Sequence, residues 1–336
     1  MKMIVFDFRE SEKAFFKQND FTDFDITFIS EPLNEATQLT EEQFNETDIV
    51  CVFINSEITE NVINKFKNLR VIATRSTGYN HIDIKYCTQN NISVFNVEEY
   101  GQTSVAQFTI MLILALVRKL LPAYLDMKQN VVAHASYEGQ NLEGLTLGII
   151  GCGAIGSAVA HLAKLLGMNI LVYSYMKRRD VSTFAKYTTL DELLEKSDIV
   201  SLHLPYSPEN YHMIGEKEFK KMKDGVYIIN TARGELLDIV ALYENLMSGK
   251  VQGAALDVLE CEYLAVKQDS VVEDIKVANA KCVTSALITQ KLLSRNDVII
   301  TPHIGYNTQE SVETLLEITF NNIRDFYKGM HTNQIC

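Results

Sequence analysis

The segment Leu147-Gly-Ile-Ile-Gly-Cys-Gly-Ala-Ile-Gly156 decides the fold of this 336-residue chain. Its apolar start predicts a buried strand, and the following stretch, Ser157–Leu166, is helix-like. Between them, Gly151 permits a tight turn, Gly153 lets the backbone approach a pyrophosphate, and Gly156 allows the helix to pack closely on the strand. The free N–H groups of a helix N-terminus favour a bound anion. The sequence therefore predicts a dinucleotide site in a Rossmann-type unit.

Alternating strand-like and helix-like segments surround this motif. The strand candidates before it are Met3–Phe8, Ile26–Ile29, Ile49–Ile54, Val71–Thr74 and Ile92–Phe95. Those that form the second series are Leu147–Ile150, Asn169–Tyr173, Ile199–Leu204, Val226–Asn230, Gly253–Asp257 and Asp297–Thr301. Such alternation is typical of parallel β-α units. We expect an α/β fold of two Rossmann-like, doubly wound domains with parallel sheets.

Two longer helical patterns complete the predicted organisation. Thr103 to about Met127 predicts a connecting helix, with Pro122 as its one interruption. Ser311 to about Lys328 repeats apolar residues at helical spacing, and we expect this helix to return to the first domain.

Composition and charge exclude several classes of protein. With 31 basic and 43 acidic residues the net charge is −12, which disfavours nucleic acid as a partner. The most apolar run, Ile110–Val117, is far shorter than the roughly 20 residues that cross a bilayer, and three apolar residues before Asp7 are too few for a signal peptide. We expect a cytoplasmic protein with no membrane partner.

The six cysteines show no C-x-x-C pair, a pattern typical of reduced thiols. It indicates neither a disulfide framework nor a metal site. We therefore expect no disulfide and no bound metal.

The residue that normally selects the cofactor is unusual. An NAD site presents an Asp or Glu about 20 residues beyond the glycine loop, at the end of the second strand. Here Ser174 follows that strand, and Lys177, Arg178 and Arg179 come before the first carboxylate, Asp180. These cations could meet the 2′-phosphate of NADP, or they could form a solvated basic loop. Both NAD and NADP therefore remain candidate cofactors.

Polar residues at the ends of the later strands suggest a chemistry. Ligands in open α/β sheets lie beyond the carboxyl ends of the strands, where Arg233, Glu262 and His303 follow three of them. Each residue alone could be structural. Together, a guanidinium can bind a carboxylate, an imidazolium can protonate a forming alkoxide, and a carboxylate can stabilise that imidazolium. This set suits the reduction of a carbonyl acid.

At this point the chain resembles the D-isomer-specific 2-hydroxyacid dehydrogenase family, and within it the D-lactate dehydrogenases. Besides the glycine loop, the matching segments in chain order are Arg75–Asp83, Val97–Tyr100, Ser104–Ala106, Leu202–Pro205, Asn210–Ile214, Lys223–Gly234 and Ile299–Ile304. The resemblance covers nearly the whole chain, and such an ordered set is highly specific.

The resemblance implies roles for individual residues. Arg233 would grip the substrate, His303 would be the acid/base and Glu262 its partner. Backbone amides of Thr77 and Gly78 would hold the substrate carboxylate, and Tyr100 and Tyr306 would line the side-chain pocket. The implied cofactor contacts are Ala154, Ile155, Leu204, Pro205, Asn210, Thr231, Ala232 and Asp257, which join the residues already predicted from the glycine loop and the end of the second strand: Gly151, Gly153, Gly156, Ser174 and Lys177.

The resemblance also implies the domain organisation. A discontinuous substrate domain would comprise residues 1–100 and 305–336, and residues 101–304 would form the dinucleotide-binding domain with the connecting helix. The family further implies hinge closure and a homodimer joined partly through that helix.

The expected activity is reduction of a small 2-oxo acid, most simply pyruvate, to the 2-hydroxy acid. One alternative is a reductase of glyoxylate, hydroxypyruvate or an aromatic 2-oxo acid. Another, from a different class, is a dinucleotide-sensing binding protein, because corepressors that share this resemblance retain the Arg, Glu and His.

Overall fold

The computed structural model describes residues 1–132, 134–262 and 280–336. The chain divides into two compact units. Unit 1 comprises Met1–Tyr100 and Asn307–Cys336, and unit 2 comprises Gly101–Tyr306. The predicted α/β class with two parallel sheets is confirmed.

Unit 1 is a five-stranded parallel sheet with the order β2-β1-β3-β4-β5. Its strands are β1 (Lys2–Val5), β2 (Asp25–Phe28), β3 (Ile49–Val52), β4 (Val71–Thr74) and β5 (Ser93–Phe95). Its helices are α1 (Lys13–Gln18), α2 (Glu41–Glu46), α3 (Glu60–Ile63), α4 (Ile84–Gln89) and, from the chain's end, α13 (Gln309–Tyr327). Leu316, Phe320 and Ile323 of α13 join the core of this sheet, which explains why unit 1 uses both ends of the chain.

Unit 2 is a seven-stranded parallel sheet with the order β12-β11-β10-β9-β6-β7-β8. Its strands are β6 (Thr146–Ile150), β7 (Asn169–Tyr173), β8 (Lys186–Tyr187), β9 (Ile199–Leu202), β10 (Val226–Asn230), β11 (Val251–Leu256) and β12 (Val298–Ile300). The chain starts at β6, moves outward to β8 and then crosses to β9. Because the order reverses between β6 and β9, the carboxyl ends of these two strands border the crevice where doubly wound sheets bind ligands.

Helices cover both faces of the unit 2 sheet. They are α5 (Gln102–Val117), α6 (Leu120–Lys128), α7 (Ala154–Leu165), α8 (Arg179–Ser182), α9 (Leu190–Lys196), α10 (Glu216–Lys221), α11 (Ile239–Met247) and α12 (Ala280–Leu293). One buried cluster packs Leu193, Phe219 and Leu242 on one face, and a second packs Ile113, Val159 and Ala160 on the other. Burial on both faces explains the continuous apolar runs in β6, β9 and β10.

The predicted single connecting helix is wrong in detail. The segment forms two helices, α5 and α6, which are bent by 66° at the break between them. Lys119 makes the break with left-handed backbone angles, φ 49° and ψ 39°. Pro122, the expected interruption, lies in the first turn of α6, where the missing N–H of a proline costs no helical hydrogen bond. No single helix in the described part of the chain is long and apolar enough to span a membrane.

The expectation of six reduced thiols is also wrong. Cys261 and Cys282 form a disulfide across a sequence separation of 21 residues, with their Cα atoms 5.5 Å apart. The other four cysteines are free thiols, of which Cys51, Cys87 and Cys152 are buried. The sequence gives no signal for this pairing. The two cysteines meet only because the fold brings the start of α12 next to the segment after β11.

A buried ion pair fixes the loop after β1 in unit 1. Arg75 is 1% exposed, and its Nη1 lies 2.7 Å from both carboxylate oxygens of Glu12. Its Nη2 donates to the carbonyl oxygens of Phe6 and Asp7. With Glu12 removed, this guanidinium would remain buried without a counter-charge.

We expect Glu12→Ala to lower the free energy of unfolding by about 3–5 kcal/mol, the usual cost of breaking a buried pair from one side. Glu10→Ala, in the same turn, is the matched control, because Glu10 is exposed and pairs only with exposed Lys13 among the described residues. Urea unfolding of the two variants measures the difference, and equal losses would contradict it.

Candidate functional site

The glycine loop follows β6 and leads into α7. Gly151 has a left-handed φ of 94°, and a Cβ there would lie 2.7 Å from the carbonyl oxygen of His203. A Cβ on Gly156 would lie 2.1 Å from the carbonyl oxygen of Gly151. Gly153 is the N-cap of α7 and has open space where a Cβ would be. The first and third glycines are therefore required by packing, whereas Gly153 leaves the helix N-terminus open to an anion.

Ala154 and Ile155, the other two loop residues predicted to contact the cofactor, begin α7 directly after that cap. Their backbone N–H groups belong to the first turn, which has no intrahelical acceptor. A pyrophosphate at this point would be held by backbone donors and by the helix dipole.

Beneath the loop lies a neutral histidine. The Nε2 atom of His203 lies 2.8 Å from the Oγ atom of Ser201. Its Nδ1 atom is buried and has no hydrogen-bond partner among the described residues. Burial lowers the pKa of His203 from 6.5 to about 4. The imidazole therefore stays uncharged at neutral pH and supports the loop by packing.

The predicted cofactor-selecting residues follow β7. Ser174 comes next after the strand and is half-buried, and Lys177 is exposed, with its Nζ 5.9 Å from the centroid of the Tyr187 ring. The Nε atom of Arg178 lies 3.3 Å from Oδ1 of Asp180. A hydrogen bond from His161, together with Arg178, lowers the pKa of Asp180 to about 2. One of the three cations is thus already paired with a carboxylate.

The remaining predicted cofactor contacts lie at the ends of β9 and β10. Leu204 and Pro205 follow β9, and Asn210 folds back so that its Nδ2 donates to the carbonyl oxygen of Pro205 at 2.8 Å. After β10, the hydroxyl of Thr231 lies 2.9 Å from that of Thr109 on α5. The backbone N–H of Ala232 donates to Oδ1 of Asn230, which shapes the turn toward Arg233.

Arg233 ends this turn. Asn230 Nδ2 donates to the carbonyl oxygen of Arg233 at 2.8 Å, and Arg233 Nη1 donates to the carbonyl oxygen of Ala232 at 2.6 Å. Within the described residues no carboxylate forms an ion pair with this guanidinium. Its remaining donors suit a bidentate carboxylate ligand.

Gly234 brings the turn against the neighbouring segment. A Cβ on Gly234 would lie 2.0 Å from the carbonyl carbon of Leu259 and 2.2 Å from the backbone nitrogen of Glu260. The segment that carries Arg233 therefore touches the segment that carries Glu262, and only glycine permits this approach.

Asp257 organises the loop after β12. This carboxylate is 2% exposed, and Oδ1 accepts hydrogen bonds from the Thr301 hydroxyl at 2.6 Å and the Ile304 N–H at 2.9 Å. Its Oδ2 accepts from the Gly305 N–H at 2.8 Å. Burial raises the pKa of Asp257, although these hydrogen bonds oppose the shift. The structure thus gives Asp257 a supporting role beyond the cofactor contact that was expected of it.

His303 lies in the loop that Asp257 holds. It has a left-handed φ of 53°, and its N–H donates to the carbonyl oxygens of Asp257 and Thr301. The ring Nδ1 lies 3.1 Å from Oε2 of Glu262, whose Oε1 accepts from the Leu259 N–H at 3.0 Å. Both side chains are partly exposed, at 29% for His303 and 36% for Glu262. With Nδ1 facing a carboxylate, Nε2 is the atom that can exchange a proton with a ligand.

Tyr306 lies beside His303, with the ring centroids 6.5 Å apart. The structure thus joins His303, Glu262 and Tyr306 in one cluster of unit 2, and it places the turn that bears Arg233 against the backbone of Leu259 and Glu260, in the segment that carries Glu262. Thr77, Gly78 and Tyr100 belong to unit 1. Asn96 Nδ2 donates to the carbonyl oxygen of Thr77 there, and the backbone N–H groups of Thr77 and Gly78 have no acceptor among the described residues.

A doubly wound sheet with an open glycine loop suits a bound dinucleotide, and an imidazole held by a carboxylate at the same sheet edge suits proton transfer. These two features define the class: a dinucleotide-dependent oxidoreductase. Residues 110–305 match the family model described as the D-isomer specific 2-hydroxyacid dehydrogenase, NAD binding domain. The chain belongs to the D-isomer specific 2-hydroxyacid dehydrogenases.

Similar proteins act on different substrates. The chain is 37% identical to an aromatic 2-oxoacid reductase of Clostridium sporogenes, over 86% of each chain. It is 36% identical to a hydroxypyruvate reductase of Thermotoga maritima, over 79% of this chain and 80% of that protein. The solved D-lactate dehydrogenase of Aquifex aeolicus, complexed with NAD and lactic acid, matches with a TM-score of 0.82 and 35% identity, over 97% of this chain and 96% of that one.

The neutral His203 predicts an acid sensitivity. Between pH 6.5 and about 4 the unfolded chain takes up a proton at this residue that the folded chain does not, so stability falls as the pH falls. The loss is up to about 1.4 kcal/mol per pH unit. In His203→Gln the free energy of unfolding should fall less steeply than in the parent over this range. Urea unfolding across the range measures both slopes, and identical slopes would refute the assignment.

Proposed function

We propose that this protein reduces a small 2-oxo acid, most simply pyruvate, to the corresponding D-2-hydroxy acid, with His303 as the acid/base. The observation that carries the proposal is the 3.1 Å contact between His303 Nδ1 and Glu262 Oε2. The carboxylate fixes the ring, so that Nε2 can deliver a proton to the carbonyl oxygen. When bound, the nicotinamide cofactor supplies the hydride.

Arg233 orients the substrate in this proposal. Its guanidinium would bind the substrate carboxylate with two parallel hydrogen bonds and polarise the neighbouring carbonyl group. Two contacts support this role: the Asn230 side chain fixes the Arg233 backbone, and Gly234 places that backbone against the segment of Glu262. The contacts of Thr77, Gly78, Tyr100 and Tyr306 with the substrate remain predictions.

The preferred oxo acid has a second candidate. The similarity to an aromatic 2-oxoacid reductase favours a bulkier substrate than pyruvate. Tyr306 is compatible with either substrate. It is 7% exposed, and its ring lies beside His303, where it can pack on a methyl group or on an aromatic ring.

For the cofactor, the family supports NAD, and we propose that this chain also accepts NADP. The support is chemical: Ser174 puts no carboxylate at the end of β7 to repel a 2′-phosphate, and Lys177 and Arg179 are exposed beside it. The pairing of Arg178 with Asp180 reduces the positive charge available, so we expect tolerance of NADP and no strict preference for it.

We also propose a cytoplasmic homodimer joined partly through α5 and α6. Large apolar side chains on these helices are exposed among the described residues of unit 2; they are Met111, Leu114, Leu120, Leu121, Tyr124, Leu125 and Met127. Several large apolar side chains exposed on neighbouring helices are typical of a protein interface.

A steady-state comparison tests the substrate and the cofactor together. Pyruvate, glyoxylate, hydroxypyruvate and phenylpyruvate are each assayed with NADH and with NADPH. We expect turnover of pyruvate with both cofactors. Higher kcat/KM for phenylpyruvate would establish the second candidate, and a large preference for NADH would show that the basic loop does not bind a 2′-phosphate. Binding of NADH without turnover of any oxo acid would refute the proposed reductase.

Removal of the acid tests the mechanism. His303→Ala should lower kcat by about 10²- to 10⁴-fold, the range for loss of general acid catalysis, with little change in the Kd for NADH. Arg233→Ala should chiefly raise the KM for the oxo acid. His331→Ala, an exposed histidine of unit 1, is the control and should retain parental turnover. Near-normal turnover of His303→Ala would remove His303 from the mechanism.

A further inference from the structure

The segment Leu259–Glu262 is held from several sides. It carries Glu262, whose Oε1 accepts from the N–H of Leu259. The carbonyl oxygen of Glu260 lies 3.3 Å from the Ser285 hydroxyl on α12, and Cys261 is bonded to Cys282 on the same helix. These contacts restrain the backbone of the segment, and Gly234, next to Arg233, packs directly against that backbone. The remaining anchor is the side chain of Glu260.

Glu260 reaches away from the substrate residues to a pair of aromatic rings. Tyr211 Oη donates to Glu260 Oε1 at 2.8 Å, and His212 Nε2 lies 3.2 Å from Glu260 Oε2. The Glu260 side chain is only 14% exposed. Burying a carboxylate is costly unless it is hydrogen-bonded, so these two contacts offset the cost of burying Glu260. Both carboxylate oxygens are thus engaged, one by each ring.

The two rings form a rigid support. They stack with centroids 3.9 Å apart and planes 16° apart, and the other ring nitrogen of His212 lies 3.8 Å from Oδ2 of Asp238. His212 has a left-handed φ of 50°, and its N–H donates to the carbonyl oxygen of Glu235 at 2.8 Å. A non-glycine residue adopts this conformation only where its surroundings enforce it.

The phenol of Tyr211 is a dependable donor. Burial and the Glu260 carboxylate raise its pKa, so it keeps its proton throughout the range in which an enzyme of this class would work. Lys281, whose Nζ lies 5.1 Å from the Tyr211 ring centroid, adds a cation on the side of α12.

We propose that Glu260 is a positioning residue: held by Tyr211 and His212, it fixes the segment that presents Glu262 to His303. The inference rests on the proposed function, because it assigns a purpose to the Glu262–His303 contact. Glu260 itself touches no reacting atom in this scheme. It sets the direction of Glu262, two residues further along the chain, by preventing rotation and displacement of the intervening backbone.

The test compares Glu260→Ala, Glu260→Gln and Tyr211→Phe with the parent enzyme. In Glu260→Ala we expect kcat to fall by about 10- to 100-fold, as happens when a reacting group is misplaced by about 1 Å. The Kd for NADH should change by less than about twofold, because the glycine loop is not involved. Glu260→Gln keeps an oxygen acceptor for Tyr211 and should recover most of the lost kcat, and Tyr211→Phe should show a smaller loss than Glu260→Ala.

The split between kcat and KM separates positioning from a general loss of stability. His303 Nδ1 lies 3.1 Å from Glu262 Oε2. When Glu262 is displaced, the His303 ring loses the contact that orients it, so kcat for oxo-acid reduction should fall while the KM for NADH stays near the parental value. Glu195→Ala, which removes an exposed carboxylate on α9, is the control and should leave kcat and both KM values unchanged.

The outcomes distinguish this proposal from the proposed function. If the parent reduces oxo acids and His303→Ala does not, but Glu260→Ala keeps the parental kcat, the positioning role is refuted and the function stands. A lower melting temperature with unchanged kinetics refutes it as well. If Glu260→Ala fails to fold, Glu260→Gln and Tyr211→Phe decide by the same readouts. If the parent reduces no oxo acid, the proposed function fails first.

Discussion

The buried carboxylate of Asp257 is the constraint on which the candidate site depends. Its three hydrogen bonds, to Thr301, Ile304 and Gly305, close the loop after β12 around a single side chain. That loop contains His303 in a left-handed conformation, which is unfavourable for histidine unless the neighbouring backbone is fixed. The cost of burying Asp257 appears in its raised pKa, and the hydrogen bonds offset much of it. An apolar residue at this position could pack, but it could not define the path of the loop.

The parallel register brings three such loops together. Asn230 pairs with Leu256, and Leu256 pairs with Ile300, so β10, β11 and β12 end at the same level. The loop after each strand carries one of the site's chemical groups: a guanidinium after β10, a carboxylate after β11 and an imidazole after β12. The strand register fixes where each loop begins along the strand direction. Gly234 and Asp257 fix how closely the loops approach one another. The site is therefore assembled by backbone geometry first, and its side chains are oriented by a second layer of contacts.

Much of the fold could be predicted because its signals are local. Buried parallel strands read as apolar runs, and the glycine loop carries its own spacing, so both sheets were anticipated apart from the two-residue strand β8. The break between α5 and α6 was misplaced because proline is the usual helix breaker, whereas here Lys119 takes a left-handed conformation and Pro122 fits the first turn of the next helix. The disulfide was missed because Cys261 and Cys282 meet only through the packing of α12.

For the site, the sequence identified residue types at strand ends, and the structure adds which of them meet. The contact between Glu262 and His303 could be expected from the sheet order and from family resemblance. The support of Glu262 could not, because Tyr211, His212 and Glu260 reach each other across about 50 residues of sequence and no periodicity links them. A short motif can identify a reacting group, because the chemistry restricts which residue types can serve and where they lie in the chain. The residues that hold that group in place need only the correct shape and charge, and these become visible once the chain is folded.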